Sequence, residues 1–211
     1  MRISYSEANL SYVPNIVMSM GVLFFVMTWI GYSYQDVEEP VSEQLLVLKL
    51  QSADFYNLSK VVFLLIISLS FSVIGIAFPM IQNVLNHFRV FNRAITFLDI
   101  IAGVVLHFIV AAVGIGLGSL FHPRIVKDKK MSVLMVVTAA LLGYTKGAVI
   151  LKILALQFLL WIFPPVYDIL ASFNGMEYFG IRHMVLPVLY GCVYCLAVVM
   201  LQLLCLKKVK F

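Results

Sequence analysis

The sequence is poor in charge. Only 12% of its 211 residues are Asp, Glu, Lys or Arg, whereas 63% are hydrophobic. Soluble domains average about a quarter charged residues and about half apolar ones. A soluble chain of this length could not remove so much apolar surface from water. The scarcity of charge excludes an ordinary globular domain and indicates several membrane-spanning helices, which form from runs of about 18 or more apolar residues.

The sequence also lacks the motifs of common enzymes. It contains no G-x-x-x-x-G-K-[ST], so it has no phosphate-binding P-loop with which to hydrolyse ATP. It contains no H-E-x-x-H, no paired Cys/His set and no G-x-S-x-G, so machinery for metal-assisted or serine hydrolysis is missing. We therefore expect a protein that is not an enzyme and has no metal or cofactor of its own.

Cysteine is scarce and confined to the last apolar segment, as Cys192, Cys195 and Cys205. The first two form a C-x-x-C. No basic residue beside them would lower a thiol pKa, and no second pair would complete a metal site. We interpret all three as small apolar residues of a helix.

Signals for processing or for separate domains are absent. The segment MRISYSEANLSYVPN lacks the charged flank and cleavage site of a signal peptide, and no linker or repeat divides the chain. We expect one polytopic transmembrane domain over residues 1–211. The net charge is +5, and the basic residues flank apolar segments. They therefore indicate membrane topology and lipid contact rather than a nucleic-acid surface.

The apolar runs predict an all-α integral membrane protein with five transmembrane helices and room for a sixth. The five lie at residues 12–34, 60–82, 97–120, 131–150 and 184–206. A further apolar stretch, 153–171, is interrupted by Pro164 and Pro165, which remove two backbone donors and clash with the preceding turn. We expect this stretch to be a re-entrant helical hairpin that enters from the outer side, shielded by neighbouring helices.

Basic residues set the expected orientation. The connector FHPRIVKDKK and the tail LKKVKF are both rich in Lys and Arg, so both should be cytoplasmic. They share a side only if an even number of crossings separates them, which a re-entrant 153–171 allows. Counting back, residues 83–96 and the N-terminus lie outside, and residues 35–59 lie inside.

The inside segment differs from the other connections. It is acidic, and its residues 43–50 (EQLLVLKL) form a short helix with a broad apolar surface. Such a helix lies in the plane of the membrane interface, or it inserts its apolar residues into a groove of a cytosolic partner. Physical grounds alone favour the interfacial position.

Four further residues are candidates for function within the spans. His107 is interpreted either as part of a translocation path or proton-sensitive switch, or as a hydrogen-bond partner of a neighbouring helix. Lys146 either extends outward to the interface or lines an outer vestibule that meets an anionic group. Gly114 and Gly118 form a G-x-x-x-G, which permits close helix approach in a dimer or within the chain.

The order of these segments resembles the ABC-2 type transporter permeases. The sequence E-x-L-L followed by Y-x-L-S-K, between two spans, resembles the cytosolic coupling segment of that family. The run GIGLGSLF with its basic connector resembles the family's fourth helix, and LLWIFPPVYDIL resembles its outer re-entrant hairpin. The resemblance covers most of residues 12–211 and rests on order rather than on one motif. The family usually has six spans and a cytoplasmic N-terminus. Against that pattern, either a first helix is missing here or the parity of 12–34 is misread and the N-terminus lies inside.

The resemblance implies a permease subunit that exports an amphipathic peptide, a bacteriocin or another hydrophobic compound across a bacterial plasma membrane. A separate cytosolic ABC ATPase would hold ATP and Mg²⁺, and a second permease chain, identical or related, would complete the pathway. The implied ATPase-docking residues are Glu43, Leu46, Leu48, Asp54, Phe55 and Tyr56. The alternative is a small membrane scaffold or immunity protein that holds a cytosolic partner without a transport cycle.

Overall fold

A computed structural model of the chain describes residues 10–121, 125–152 and 162–208. Within these ranges the chain is helical apart from loops and one isolated bridge between Leu10 and Phe91. The helices are α1 (Tyr12–Ser33), α2 (Pro40–Leu50), α3 (Ala53–Leu85), α4 (Phe97–Leu120), α5 (Lys129–Lys152), α6 (Val166–Ala171) and α7 (Ile181–Lys208). The predicted all-α fold is confirmed.

Among the described residues, five helices are long and apolar enough to cross a bilayer. They are α1, α3, α4, α5 and α7, and each overlaps one predicted span. By length and composition the chain is thus a multi-pass membrane protein. The start of α3 was predicted seven residues too late. Ser52 caps this helix by accepting a hydrogen bond from Phe55 N, so the helix begins at Ala53 and runs for 33 residues.

The core is built around α4, the most deeply buried of the spanning helices. Its closest neighbour is α1, because glycines on α4 let the two backbones touch. A Cβ on Gly114 would lie 2.7 Å from Phe24 O of α1, and a Cβ on Gly118 would overlap Thr28 O. The two glycines therefore lie at a contact within the chain, where a larger residue would force the helices apart.

The two ends of the bundle differ in what they bring together. At one end Lys129 Nζ of α5 lies 2.7 Å from Asp36 Oδ2, just after α1. We call this the connector end, which comprises residues 34–52 and 125–130. At the other, Leu10, residues 86–96 and residues 172–180 meet around Arg93, and we call it the Arg93 end. Arg124 and residues 209–211 lie outside the described residues.

The short helix α6 lies inside the bundle. Residues 153–161, the first part of the predicted hairpin, lie outside the described residues. After them Pro164 packs on α5, where a Cβ on Gly143 would lie 3.0 Å from Pro164 Cδ. Val166 and Ile169 of α6 are fully buried. From α6 the chain leads to the Arg93 end, where Phe173 packs on Phe179.

Candidate functional site

The helix α2 presents an apolar face away from the bundle at the connector end. Pro40 occupies its first turn, where proline is favoured, and the helix ends at Gln51 with a left-handed φ of 55°. Val41, Leu45 and Leu48 follow the i, i+4, i+7 spacing of a single helix face. They are 66%, 62% and 73% exposed. We call these three residues the α2 stripe, a surface that no described part of the chain covers.

The opposite side of α2 is fastened to α3 by a group of polar side chains. Lys60 Nζ lies 3.4 Å from Glu38 Oε2 and 3.7 Å from Glu43 Oε1. The Tyr56 hydroxyl donates to Glu38, and the Lys60 ammonium lies 4.6 Å from the centre of the Tyr56 ring. We call Glu38, Glu43, Tyr56 and Lys60 the Lys60 cluster. It ties α2 to the first two turns of α3.

The six predicted docking residues differ in exposure. Leu46 and Leu48 of α2 and Asp54 and Phe55 at the start of α3 are exposed. Glu43 and Tyr56 are instead buried in the Lys60 cluster, where they hold α2 in place. The set also lacked two members of the α2 stripe, Val41 and Leu45. Their i, i+4, i+7 relation to Leu48 was the signal that could have found them.

His107 links α4 to α1 through a buried hydrogen-bond chain. Its Nδ1 lies 2.9 Å from Gly103 O, and its Nε2 lies 2.8 Å from Ser19 Oγ, which in turn lies 2.8 Å from Ile16 O. The two carbonyl oxygens only accept, so these three contacts require three hydrogens. A neutral imidazole and one hydroxyl supply two, whereas an imidazolium and the hydroxyl supply three. With a neutral imidazole, these three contacts are therefore one hydrogen short.

Lys146 turns into the bundle rather than toward its surface. It is only 5% exposed, and its Nζ lies 2.6 Å from Asp168 Oδ2 of α6. The ion pair joins α5 to α6 inside the bundle. Sequence reasoning missed Asp168, although an acidic residue two positions into a helix that follows Pro164 and Pro165 is a visible signal in an apolar run.

In the part of the chain that the structure describes, no group of three or more His, Cys, Asp or Glu side chains could hold a metal ion. Cys192, Cys195 and Cys205 are free thiols within α7. The arrangement combines an exposed apolar helix face at the connector end with an ion pair between α5 and α6 whose carboxylate is partly exposed.

Comparison with known proteins finds no match among family models, curated proteins or solved structures. The resemblance to ABC-2 type permeases therefore rests on the order of segments in this sequence. The multi-pass helical architecture rests on the helices themselves, independently of that resemblance.

Proposed function

We propose that this chain is the permease subunit of an ATP-driven transporter of the ABC-2 type, moved by a separate cytosolic ATPase through α2. The observation that carries the proposal is the two-sided environment of α2. Its stripe of Val41, Leu45 and Leu48 is exposed, while its opposite side is fastened to a spanning helix by the Lys60 cluster.

A helix that transmits movement needs both of these properties. Its outer face must be recognised by the partner, and apolar residues at i, i+4, i+7 suit a hydrophobic groove. Its inner face must not slip when the partner moves. Glu43 and Lys60 supply that connection, because α3 carries any displacement of α2 into the membrane and packs on α4. ATP and Mg²⁺ would be bound and hydrolysed by the partner.

The region around α6 supports the same assignment. Pro164 packs beside Gly143, nine residues before the end of α5, which is about 13 Å along the helix axis. Pro164 and α6 thus lie beside the interior of α5 rather than beyond its end. A segment that re-enters the membrane from the outer side would place them there.

The charges favour a cytoplasmic connector end. Lys127, Lys129 and Lys130 are exposed there, and positively charged loops remain on the cytoplasmic side. The α2 stripe would then face the compartment that contains ATP. A second permease chain, an amphipathic or hydrophobic exported substrate and a bacterial plasma membrane follow from the family resemblance.

The test is recovery of the ATPase from the cells that make this protein. The chain is purified in mild detergent, and co-purifying proteins are identified by mass spectrometry. We expect a P-loop ATPase in about equal amount. Leu48→Glu should lower its recovery by about tenfold, because a charge replaces the most exposed apolar anchor of the stripe. Ser42→Glu is the matched control, since it adds the same charge to the same helix outside the stripe.

Two results would count against the proposal. Recovery of a cytosolic protein without a P-loop would favour the scaffold or immunity protein. Equal ATPase recovery with Leu48→Glu and Ser42→Glu would show that the ATPase docks elsewhere. A second readout is ATP hydrolysis by the recovered complex, which should respond to candidate substrates in the wild type and not in Leu48→Glu.

A further inference from the structure

A groove of about 480 Å³ runs between α6 and α7. Its walls are Asp168, Ile169 and Ser172 on one side and residues 186–193 of α7 on the other. We call it the α6–α7 groove. Residues 186–193 lie about 8 to 18 Å along α7 from its first residue, which is membrane depth in a spanning helix. The lining is apolar except for the groups contributed by α6 and by Tyr190.

Asp168 gives this apolar groove a negative wall. Its side chain is 36% exposed, while its counter-ion Lys146 is almost completely buried. Lys146 occupies Oδ2 from within the bundle. The Ser172 hydroxyl donates to the backbone oxygen of Asp168 and not to the carboxylate. A ligand in the groove would therefore meet the Asp168 carboxylate but could not reach the Lys146 ammonium.

We propose that the α6–α7 groove binds an amphipathic cation that enters from the lipid. Its ammonium or guanidinium group contacts the Asp168 carboxylate, and its aliphatic body lies along residues 186–193. A carboxylate can accept several hydrogen bonds, so it can hold the ligand while it remains paired with Lys146. The Tyr190 ring offers the cation a second favourable surface. Charge complementarity excludes an anionic amphipath, which would face the carboxylate across an apolar wall.

An ionised group at membrane depth is costly and generally marks a functional site. Here the acidic member of the ion pair is left partly open to a groove of ligand size. The inference does not depend on the proposed function, since binding needs no ATPase. If both hold, the groove is a site for the transported compound.

The experiment measures binding to the full chain in nanodiscs of phosphatidylcholine. Two fluorescent probes share one dodecyl chain and differ in an ammonium or a sulfonate head group, and their binding is followed by anisotropy. We expect the wild type to bind the ammonium probe about tenfold more tightly than the sulfonate probe, the ratio that one charge-assisted hydrogen bond gives. Empty nanodiscs supply the background for partition into lipid.

The decisive variant exchanges the charges, as Lys146→Asp with Asp168→Lys. It keeps the ion pair but turns its positive member toward the groove, so the preference should invert to the sulfonate probe. A second variant, Lys146→Met with Asp168→Asn, removes both charges, so no buried charge is left without a partner. It should abolish the preference for the ammonium probe. Glu177→Gln is the matched control, because it removes an exposed acid outside the groove and should leave the preference intact.

The proposal is overturned if the neutral double variant keeps the wild-type preference for the ammonium probe. It is also overturned if wild type and empty nanodiscs bind that probe equally. Should the charge-exchanged variant fail to fold, Val193→Trp takes its place, since it fills the groove and leaves both charges. Val193→Trp should weaken binding of the ammonium probe about tenfold. Unchanged binding would show that the probe does not occupy the groove.

Discussion

The two ends of the bundle are held together in different ways. At the Arg93 end one guanidinium joins three segments, because Arg93 donates to Asp99 at 2.7 and 2.8 Å and to Glu177 O at 2.9 Å. It also lies 4.2 Å from the centre of the Tyr178 ring. At the connector end the Lys60 cluster holds α2 from one side, and the α2 stripe is exposed on the other. One end is closed by polar contacts, and the other leaves an apolar surface exposed.

The closed end is stabilised by charge that water hardly reaches. Asp99 is 2% exposed, and it forms a capping box with Thr96 at the start of α4 as well as the pair with Arg93. The hydrogen bond to Asp99 raises the pKa of Arg93 above its ordinary value, so the guanidinium stays charged at every physiological pH. The ring of Tyr12 packs edge-on against Phe91, which adds α1 to the same assembly.

The largest expected effect comes from breaking this closed end with Arg93→Met. The substitution leaves the buried Asp99 carboxylate without its counter-ion, which costs about 3–5 kcal/mol of unfolding free energy. Unfolding by SDS titration in mixed micelles measures the loss. Arg89→Met is the control, since Arg89 is exposed in the same loop and should change stability by less than about 0.5 kcal/mol. Equal losses for the two variants would contradict the role of Arg93.

The spanning helices could be predicted from the sequence because hydrophobic run length is a local property. The span at residues 97–120 coincides with α4, and only the polar start of α3 was misplaced. Residues 53–60 are too polar to belong to an apolar run, so run length placed the start at Lys60. Tertiary contacts kept that stretch helical, since Lys60 is buried against Glu38 and Glu43 of the preceding segment.

The candidate sites were less predictable because they depend on pairs from different helices. The apolar character of α2 was visible in its leucines, but the inward turn of Glu43 depends on where Lys60 lies in α3. Likewise, Lys146 meets Asp168 across 22 residues, and no local pattern couples the two. The spacing of Gly114 and Gly118 indicated a close approach but could not specify α1 as the neighbour.

A smaller effect is expected from Gly118→Ala, which tests the α1–α4 contact nearer the connector end. The new Cβ would overlap Thr28 O and lie 2.7 Å from Tyr32 N, so the α1 backbone must move. We expect a loss of about 1–3 kcal/mol, the usual cost of overpacking, measured by the same titration. Gly116→Ala is the matched control. Its Cβ would lie 3.4 Å from Val198 Cγ1, an ordinary contact, so stability should hardly change.

A result in which both alanine variants lose the same stability would show that the loss reflects α4 itself rather than its contact with α1. A loss confined to Gly118→Ala would place the tight contact where α1 leads toward α2. The α1–α4 contact would then stabilise the helices beneath the connector end, although α2 at its surface is exposed.

The smallest expected effect on stability comes from Lys60→Met. This variant gives the sharpest test of the difference between the connector end and the Arg93 end. Glu38 is partly exposed and can turn to water, and the buried Glu43 lies 3.7 Å from Lys60, whereas Asp99 lies 2.7 Å from Arg93. We therefore expect a loss of about 1–2 kcal/mol, between that of an exposed and a buried pair. Amide hydrogen exchange should rise in residues 40–50 and stay unchanged in residues 86–96, because α2 loses its fastening while the Arg93 end keeps its own. Arg93→Met should give the reverse pattern. If either variant raises exchange at both ends, the bundle opens as one cooperative unit, and α2 could not move independently of the closed end.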